Sequence, residues 1–320
     1  MKRIIIYSVI TIITAFCNAN AQTMLNVGKN ELRTFKHLDL SLTAGTTGIG
    51  LDLATPICEY LQLRAAFAYV PKFEYEMDFD IIVGEDRSKS KEKFERLSTL
   101  LEGMTGYKVD DQITMIGKPS YWNASIMLDF FPLENKHWYL TAGLYYGPKQ
   151  IAEAYNKTSD MASLLAVGMY NNMYNSAVND MPLFEMGDMA MFLPPEYAEK
   201  FIEYGRMGIP LGKYKKDKTS YVMEPDVNSM VRTYIHVNRF KHYLGFGYSG
   251  RLIPKNDKYA ISLDCGVMFW GGTPKVITHD GTDLANEVRD VYGKVGDYVD
   301  LIKTFTLYPV LNLRISRTLF

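Results

Sequence analysis

The chain has only 3 cysteines among its 320 residues. Cys17, Cys58 and Cys265 are too few and too far apart to make a disulfide framework. Nor is there a surplus of either charge. Against 35 basic residues stand 36 acidic ones, a net charge of -1, which excludes an electrostatic nucleic-acid binder. No stretch of about 18 apolar residues occurs, so no helix can cross a bilayer. Cys/His pairs at metal-ligand spacing are absent, as is a glycine-rich phosphate loop after a strand, so neither metal nor cofactor is expected. What the chain does have is apolar content. It is 47% hydrophobic and 13% aromatic, too much for a disordered polypeptide.

The first residues read as targeting rather than fold. Met1-Lys2-Arg3 is a basic n-region, residues 4–16 a short apolar stretch, and Ala19-Asn20-Ala21 offers small residues for cleavage. A lipoprotein signal at Cys17 is set aside, because Phe16 is too large to precede a lipidated cysteine. Residues 1–21 are therefore expected to be a signal peptide and 22–36 a periplasmic segment beginning at Gln22.

From residue 37 to 320 the governing signal is alternation with a period of two, the mark of strands with one apolar face. Eight runs carry it: 37–44, 48–54, 61–81, 122–130, 138–146, 240–252, 259–269 and 305–319. The third is far longer than the roughly 9–11 residues that a tilted membrane strand needs. The links between runs alternate in length. Short ones fall at 55–60, 132–136 and 254–257, long ones at 84–112, 151–228 and 272–302. Only the hairpin at Gly45-Thr46-Thr47-Gly48 departs from that order. Short turns on one rim and long loops on the other describe a transmembrane barrel with an even strand number, its termini periplasmic.

A secreted barrel, apolar inside and polar outside, would alternate as well. The polar phase decides against it, because it includes Gly50, Ala54, Ala66, Ala68, Gly143, Gly245, Gly247 and Gly266. Small residues mixed with a few charges suit a crowded lumen, which leaves the large aliphatic phase to face lipid. The expected fold is thus all-β: an eight-stranded antiparallel up-and-down transmembrane β-barrel with helical segments in long extracellular loops.

Together, the signal peptide, eight alternating runs and a last strand ending Leu311-Asn312-Leu313-Arg314-Ile315-Ser316-Arg317-Thr318-Leu319-Phe320 resemble the small outer-membrane β-barrels of Gram-negative bacteria. The likeness is to OmpA/OmpX-like porin-type barrels with large loops. It covers the strands and is one of pattern. It implies residence in outer-membrane lipid and a C-terminal aromatic, Phe320, offered to the barrel-assembly machinery. The apolar phase of the last run itself ends on Leu319.

Seven charges fall on the inward phase: Asp39, Asp52, Asp129 and Asp264 against Arg64, Arg251 and Arg314. In a narrow, dry space they must pair. They could line a gated ion path or plug the barrel, and eight strands favour the plug because such a barrel fills its own interior. The third and fourth runs predict a hairpin standing above the bilayer with Glu74, Glu76, Asp78 and Asp80 on one face. It would serve as a pillar or as an edge for strand addition.

The long loops contain 29, 78 and 31 residues, too many for plain connectors. Helical spacing is expected at Phe94, Leu97, Leu101 and Met104, between Pro195 and Gly205, and from a cap at Asp283 to Gly293. The second loop holds 10 of the 17 methionines, from Met161 to Met230. They would fill gaps in a small subdomain or form a soft binding surface, and gap-filling is the ordinary use.

Catalysis has little support. His242 falls on the lipid-facing phase without a serine beside it, and the two carboxylates of His279-Asp280-Gly281-Thr282-Asp283 are explained by a turn. The sequence therefore points to a non-enzymatic, monomeric outer-membrane barrel that binds an extracellular protein or glycan through its loops, or supports the envelope. A narrow channel is the alternative, and an outer-membrane enzyme a weaker one.

Overall fold

The computed structural model describes residues 37–84, 87–254, 256–291, 293–304 and 306–319. The expected signal peptide 1–21, the segment 22–36 and Phe320 lie outside the described residues. Strands are numbered β1 to β19 in chain order. Eight of them close into an antiparallel barrel: β1 (Asp39–Gly45), β2 (Gly48–Cys58), β3 (Leu61–Val70), β7 (Tyr121–Phe130), β8 (Trp138–Tyr146), β15 (Phe240–Ile253), β16 (Asn256–Phe269) and β19 (Leu307–Thr318). Closure is made by the first and last strands, paired from Asp39↔Thr318 to Gly45↔Asn312.

Each wall strand keeps the phase read from the sequence. Leu42, Leu51, Phe67, Leu140, Leu244 and Leu313 lie exposed on the outside. Between them Thr43, Asp52, Ala68, Tyr139, Tyr243 and Arg314 are buried within. An exterior of large aliphatic and aromatic side chains is disfavoured in water and solvated by hydrocarbon, so the barrel is a membrane barrel.

Above it stands a five-stranded sheet of β4 (Tyr75–Asp80), β6 (Gln112–Pro119), β9 (Gln150–Asn156), β14 (Arg232–His236) and β17 (Lys275–Thr278). Its spatial order is β17-β14-β9-β6-β4, and in the barrel the strands next to these in the chain run β16-β15-β8-β7-β3. Five of the eight wall strands are thus continued upward in unchanged order. Four of the five junctions hold a proline, Pro71, Pro119, Pro148 or Pro274, which cannot donate to the ladder and breaks the strand there. The third run is accordingly two strands, β3 and β4, and not one continuous strand. The expected hairpin is real but is only two-fifths of the raised wall. Its acidic row is matched by the same sheet's surroundings: Glu74 pairs with Lys118 at 2.8 Å and Glu76 with Lys157 at 2.6 Å. Asp78 and Asp80 accept from Thr114 and Gln112.

The remaining elements pack on this wall. Four helices, α1 (Arg87–Thr105), α2 (Met161–Asn179), α3 (Pro195–Tyr204) and α4 (Gly293–Thr304), accompany a second sheet. That sheet is β12 (Met207–Tyr214) flanked by β13 (Ser220–Met223) and β18 (Val288–Arg289), with β5 (Ile82–Val83) also paired to β12. A separate hairpin is made by β10 (Phe184–Met186) and β11 (Met189–Met191). Among the described residues the cap core holds 24 buried hydrophobic residues against 8 in a second cluster at the barrel's cap-side end, so the long loops form a folded cap rather than connectors.

α1 and α3 lie where helical spacing puts them, and Pro195 opens α3 while Gly205 (φ 82) closes it. α2 is not among the helices that the spacing predicts. The third expected helix is corrected. Asp283 caps a turn, accepting from the N–H of Ala285 at 3.1 Å and of Val276 at 3.3 Å. Val288 belongs to β18, and α4 starts at Gly293, where the helix was expected to end. A Cβ on Gly296 would lie 2.1 Å from the Val291 carbonyl oxygen, so the chain just before the helix requires glycine inside its first turn.

Candidate functional site

Two regions concentrate chemistry: the barrel interior and the outer face of the cap. In the interior, Arg64 on β3 is the hub. Its Nη2 donates to Asp129 Oδ1 at 2.9 Å and its Nη1 to Asp264 Oδ2 at 3.2 Å, with Asp52 at 3.8 Å. Tyr139 donates to Asp264 at 2.9 Å and accepts from Arg314 Nη2 at 3.0 Å. Thr141 donates to Asp129 at 2.7 Å. Six of the eight wall strands therefore meet in one layer, and each of these side chains is nearly fully buried.

Of the seven charges expected in the lumen, the structure brings together Asp52, Arg64, Asp129, Asp264 and Arg314. It leaves two out. Asp39 sits at the turn-side rim, half-buried, accepting from Thr318 at 2.6 Å and 3.5 Å from His37. Arg251 is corrected: its side chain is 64% exposed and pairs with Asp257 at 2.6 Å. The reason is its place: Arg251 is the last residue in regular register before the irregular hairpin end of β15, where the strand reaches the rim and water competes for the side chain.

Alternation alone does not reveal the large residues of the inward phase. Tyr145 and Tyr243 meet edge to face at 5.8 Å beside Met127, Met268 and Val310, an apolar layer next to the charges. Lys241, 1% exposed, donates to Asn123 at 3.1 Å. Among the described residues it brings the buried cations of the lumen to three, Arg64, Arg314 and Lys241, against the carboxylates Asp52, Asp129 and Asp264. The signal is present in the sequence, since Lys241 alternates with the exposed Phe240 and His242. A cavity of about 20 Å³ remains beside Arg64, Asp52 and Tyr243, room for about one water molecule.

The small inward residues have a definite purpose. A Cβ on Gly247 would stand 2.2 Å from Tyr139 Cζ, and one on Gly245 2.3 Å from the Tyr243 hydroxyl. The glycines are sockets for tyrosines that cross the lumen.

On the cap, the expected turn at 279–283 consumes its own carboxylates. Asp280 accepts from Thr278 at 2.5 Å, the Thr282 N–H at 2.9 Å and Tyr221 at 2.7 Å. Burial opposes ionisation of Asp280, but bonds from Thr278, the Thr282 backbone and Tyr221 outweigh it and hold the carboxyl below its ordinary range. Among the described residues no cluster of three or more His, Cys, Asp or Glu could hold a metal ion. His242 lies exposed on the outer wall between Leu144 and Phe269 in register, and His279 accepts from the Arg232 N–H at 3.4 Å.

The methionines divide by place. Met207 and Met223 fill the cap core, whereas Met181, Met186, Met189 and Met191 are exposed on or next to the β10–β11 hairpin.

The closed eight-stranded barrel, apolar outside and charged within, defines an integral outer-membrane-type β-barrel, OmpA/OmpX-like in strand number and topology. No family model matches the chain, and no curated protein does. Among solved structures it is similar to Acinetobacter baumannii CarO2 at 12% identity, covering 90% of this chain and 100% of that one, TM-score 0.38. It is also similar to a major outer membrane protein from Thermus thermophilus at 11% identity, 88% and 98% covered, TM-score 0.29. A third is Ail, the attachment invasion locus protein of Yersinia pestis, in complex with the heparin analogue sucrose octasulfate, at 8% identity, 88% and 94% covered, TM-score 0.25. At such scores the class rests on the barrel's own exterior and closure.

Proposed function

We propose that this protein is a non-enzymatic surface-binding protein of the outer membrane, in which the barrel is a sealed anchor and the cap faces outward to meet a partner. One observation carries the reading. The lumen is crossed by a layer of paired charges and by a layer of tyrosine and methionine, while the larger hydrophobic core belongs to the cap. A solute path needs a continuous polar bore, and the cavity beside the charge layer has space for about one water. In this reading the termini lie in the periplasm with the short turns, and the buried charges hold the wall strands together without carrying ions.

The test is single-channel recording of the refolded full chain in a planar bilayer. Silence is expected at moderate voltage. A steady conductance that survives removal of residues 151–228 would overturn the reading in favour of a pore.

A further inference from the structure

The β10–β11 hairpin is an unusual object. It pairs with no other strand among the described residues. Register places Phe184 opposite Met191 and Met186 opposite Met189, so these four share one face of the ribbon. All four are exposed, Met189 at 67%. A free two-stranded ribbon is marginal in water, and a contiguous exposed apolar face marks an interaction site. Methionine makes such a face adaptable, because its unbranched thioether repacks around different shapes.

The surrounding charge says what kind of partner fits. From Asp180 to Glu203 the chain carries six carboxylates, Asp180, Glu185, Asp188, Glu196, Glu199 and Glu203, and one cation, Lys200. All six are exposed, and among the described side chains none is in an ion pair. This density repels a second copy of the same segment and repels phosphate-bearing lipid. It complements a cation with an apolar face.

Resting on the surface-binding reading, we propose that the hairpin face of Phe184, Met186, Met189 and Met191, with its acidic surround, is a docking site for a basic amphipathic polypeptide segment. The occupant lays its apolar side on the methionines, its Lys or Arg side chains reaching Asp188 at the turn and drawn by the field of the segment's other acids, Glu185 on the ribbon's opposite face among them.

The test uses the full chain in zwitterionic nanodiscs, with empty discs as the blank. The probes are a fluorescent 18-residue Leu/Lys amphipathic peptide and its Leu/Glu twin, read by anisotropy. The Leu/Lys peptide is expected to bind saturably above the blank and to weaken as salt rises, while the Leu/Glu peptide stays at blank level. The variant F184S/M186S/M189S/M191S should lose at least about tenfold in affinity. In E185K/D188K the preference between the two peptides should shrink or invert. Because all six positions are exposed, an unchanged melting curve of each variant will certify the fold. The proposal is overturned if neither peptide binds, if both bind equally, or if the serine variant binds as well as the parent. It is also overturned by dimers in sedimentation that vanish in the serine variant, or by equal binding to anionic vesicles. Should the peptide fail while bilayer recordings remain silent, this docking site is wrong and the sealed-anchor reading stands.

Discussion

Removing the guanidinium of Arg64 is the sharpest perturbation available. The Arg64→Met variant keeps much of the volume and the apolar stem but deletes the contacts to Asp129 at 2.9 Å, Asp264 at 3.2 Å and Asp52 at 3.8 Å. Three carboxylates would then share the layer with Arg314 alone, which lies 3.7 Å from Asp264. Breaking a buried ion pair by removing one partner costs about 3–5 kcal/mol, because an uncompensated charge stays buried. At about 1.4 kcal/mol per tenfold, the ratio of folded to unfolded barrel should fall by roughly two to four powers of ten. The assay is reversible urea unfolding of the refolded protein in lipid, followed by tryptophan fluorescence. A companion variant, Arg64→Met with Asp129→Asn and Asp264→Asn, removes two of the three stranded carboxylates and leaves Asp52 balanced in number by Arg314, so it should recover most of the loss, since replacing a whole buried pair is often neutral. The reasoning is refuted if Arg64→Met unfolds at the parental midpoint, or if the triple variant is no better than the single one.

Other consequences are independent of this one. Gly247→Ala pushes the Tyr139 ring, 2.2 Å from the new methyl, off its bonds to Asp264 and Arg314, and should cost about 1–3 kcal/mol in the same assay. In a Tyr139→Leu background that cost should shrink. In the cap, Asn171 donates to the Met207 carbonyl at 2.7 Å and accepts its N–H at 3.0 Å. Asn171→Ala leaves both backbone groups buried and unpaired, a loss of about 1–3 kcal/mol seen as faster amide exchange at Met207 with no change in barrel melting. Asp280 supplies a pH dependence. Its carboxyl titrates below the ordinary 3.8, so its stabilisation is complete above that value and is lost as pH falls through the lower folded value. Amide exchange at the 278–283 turn should accelerate on acidification below about pH 3.8, and Asp280→Asn should flatten that response.

The barrel is legible in the sequence because a membrane wall enforces one rule on every residue. Lipid outside and packed side chains inside leave no third environment, so alternation persists through all eight runs. The raised wall and cap obey no such rule. β12 is buried on both faces from Met207 to Ile209 and again at Leu211 and Gly212, and a strand covered on both sides shows no period of two. α2 buries Leu164, Val167, Tyr170 and Asn171 but spreads methionine and asparagine over its other faces, which blurs the helical stripe. Gly293 reads as a stop because glycine commonly ends helices, yet here it begins one whose close approach to the preceding Val291 carbonyl needs Gly296 as well. Proline marks the junctions between barrel and raised wall, at Pro71, Pro119, Pro148 and Pro274.

In the interior, charge is easier to recognise than shape. Five of the seven expected side chains converge, because an inward charge in a narrow lumen has nowhere else to find a partner. Asp39 and Arg251 fail for a positional reason, since both sit where their strands reach the rim and water competes for them. The tyrosines escape notice when each inward strand is read alone. Read in register, Tyr139 declares itself, since it stands opposite Gly247 and its ring takes the place of the missing Cβ; Tyr243 stands opposite Gly143 but lays its hydroxyl over Gly245 of its own strand and Gly266 of the next. A ring that turns across the lumen in this way fills the space beside a glycine, so the inward glycines that face these rings mark where the barrel is plugged. The same packing explains why Gly245, Gly247 and Gly266 do not open a bore, as their space is already taken by the rings of Tyr139 and Tyr243.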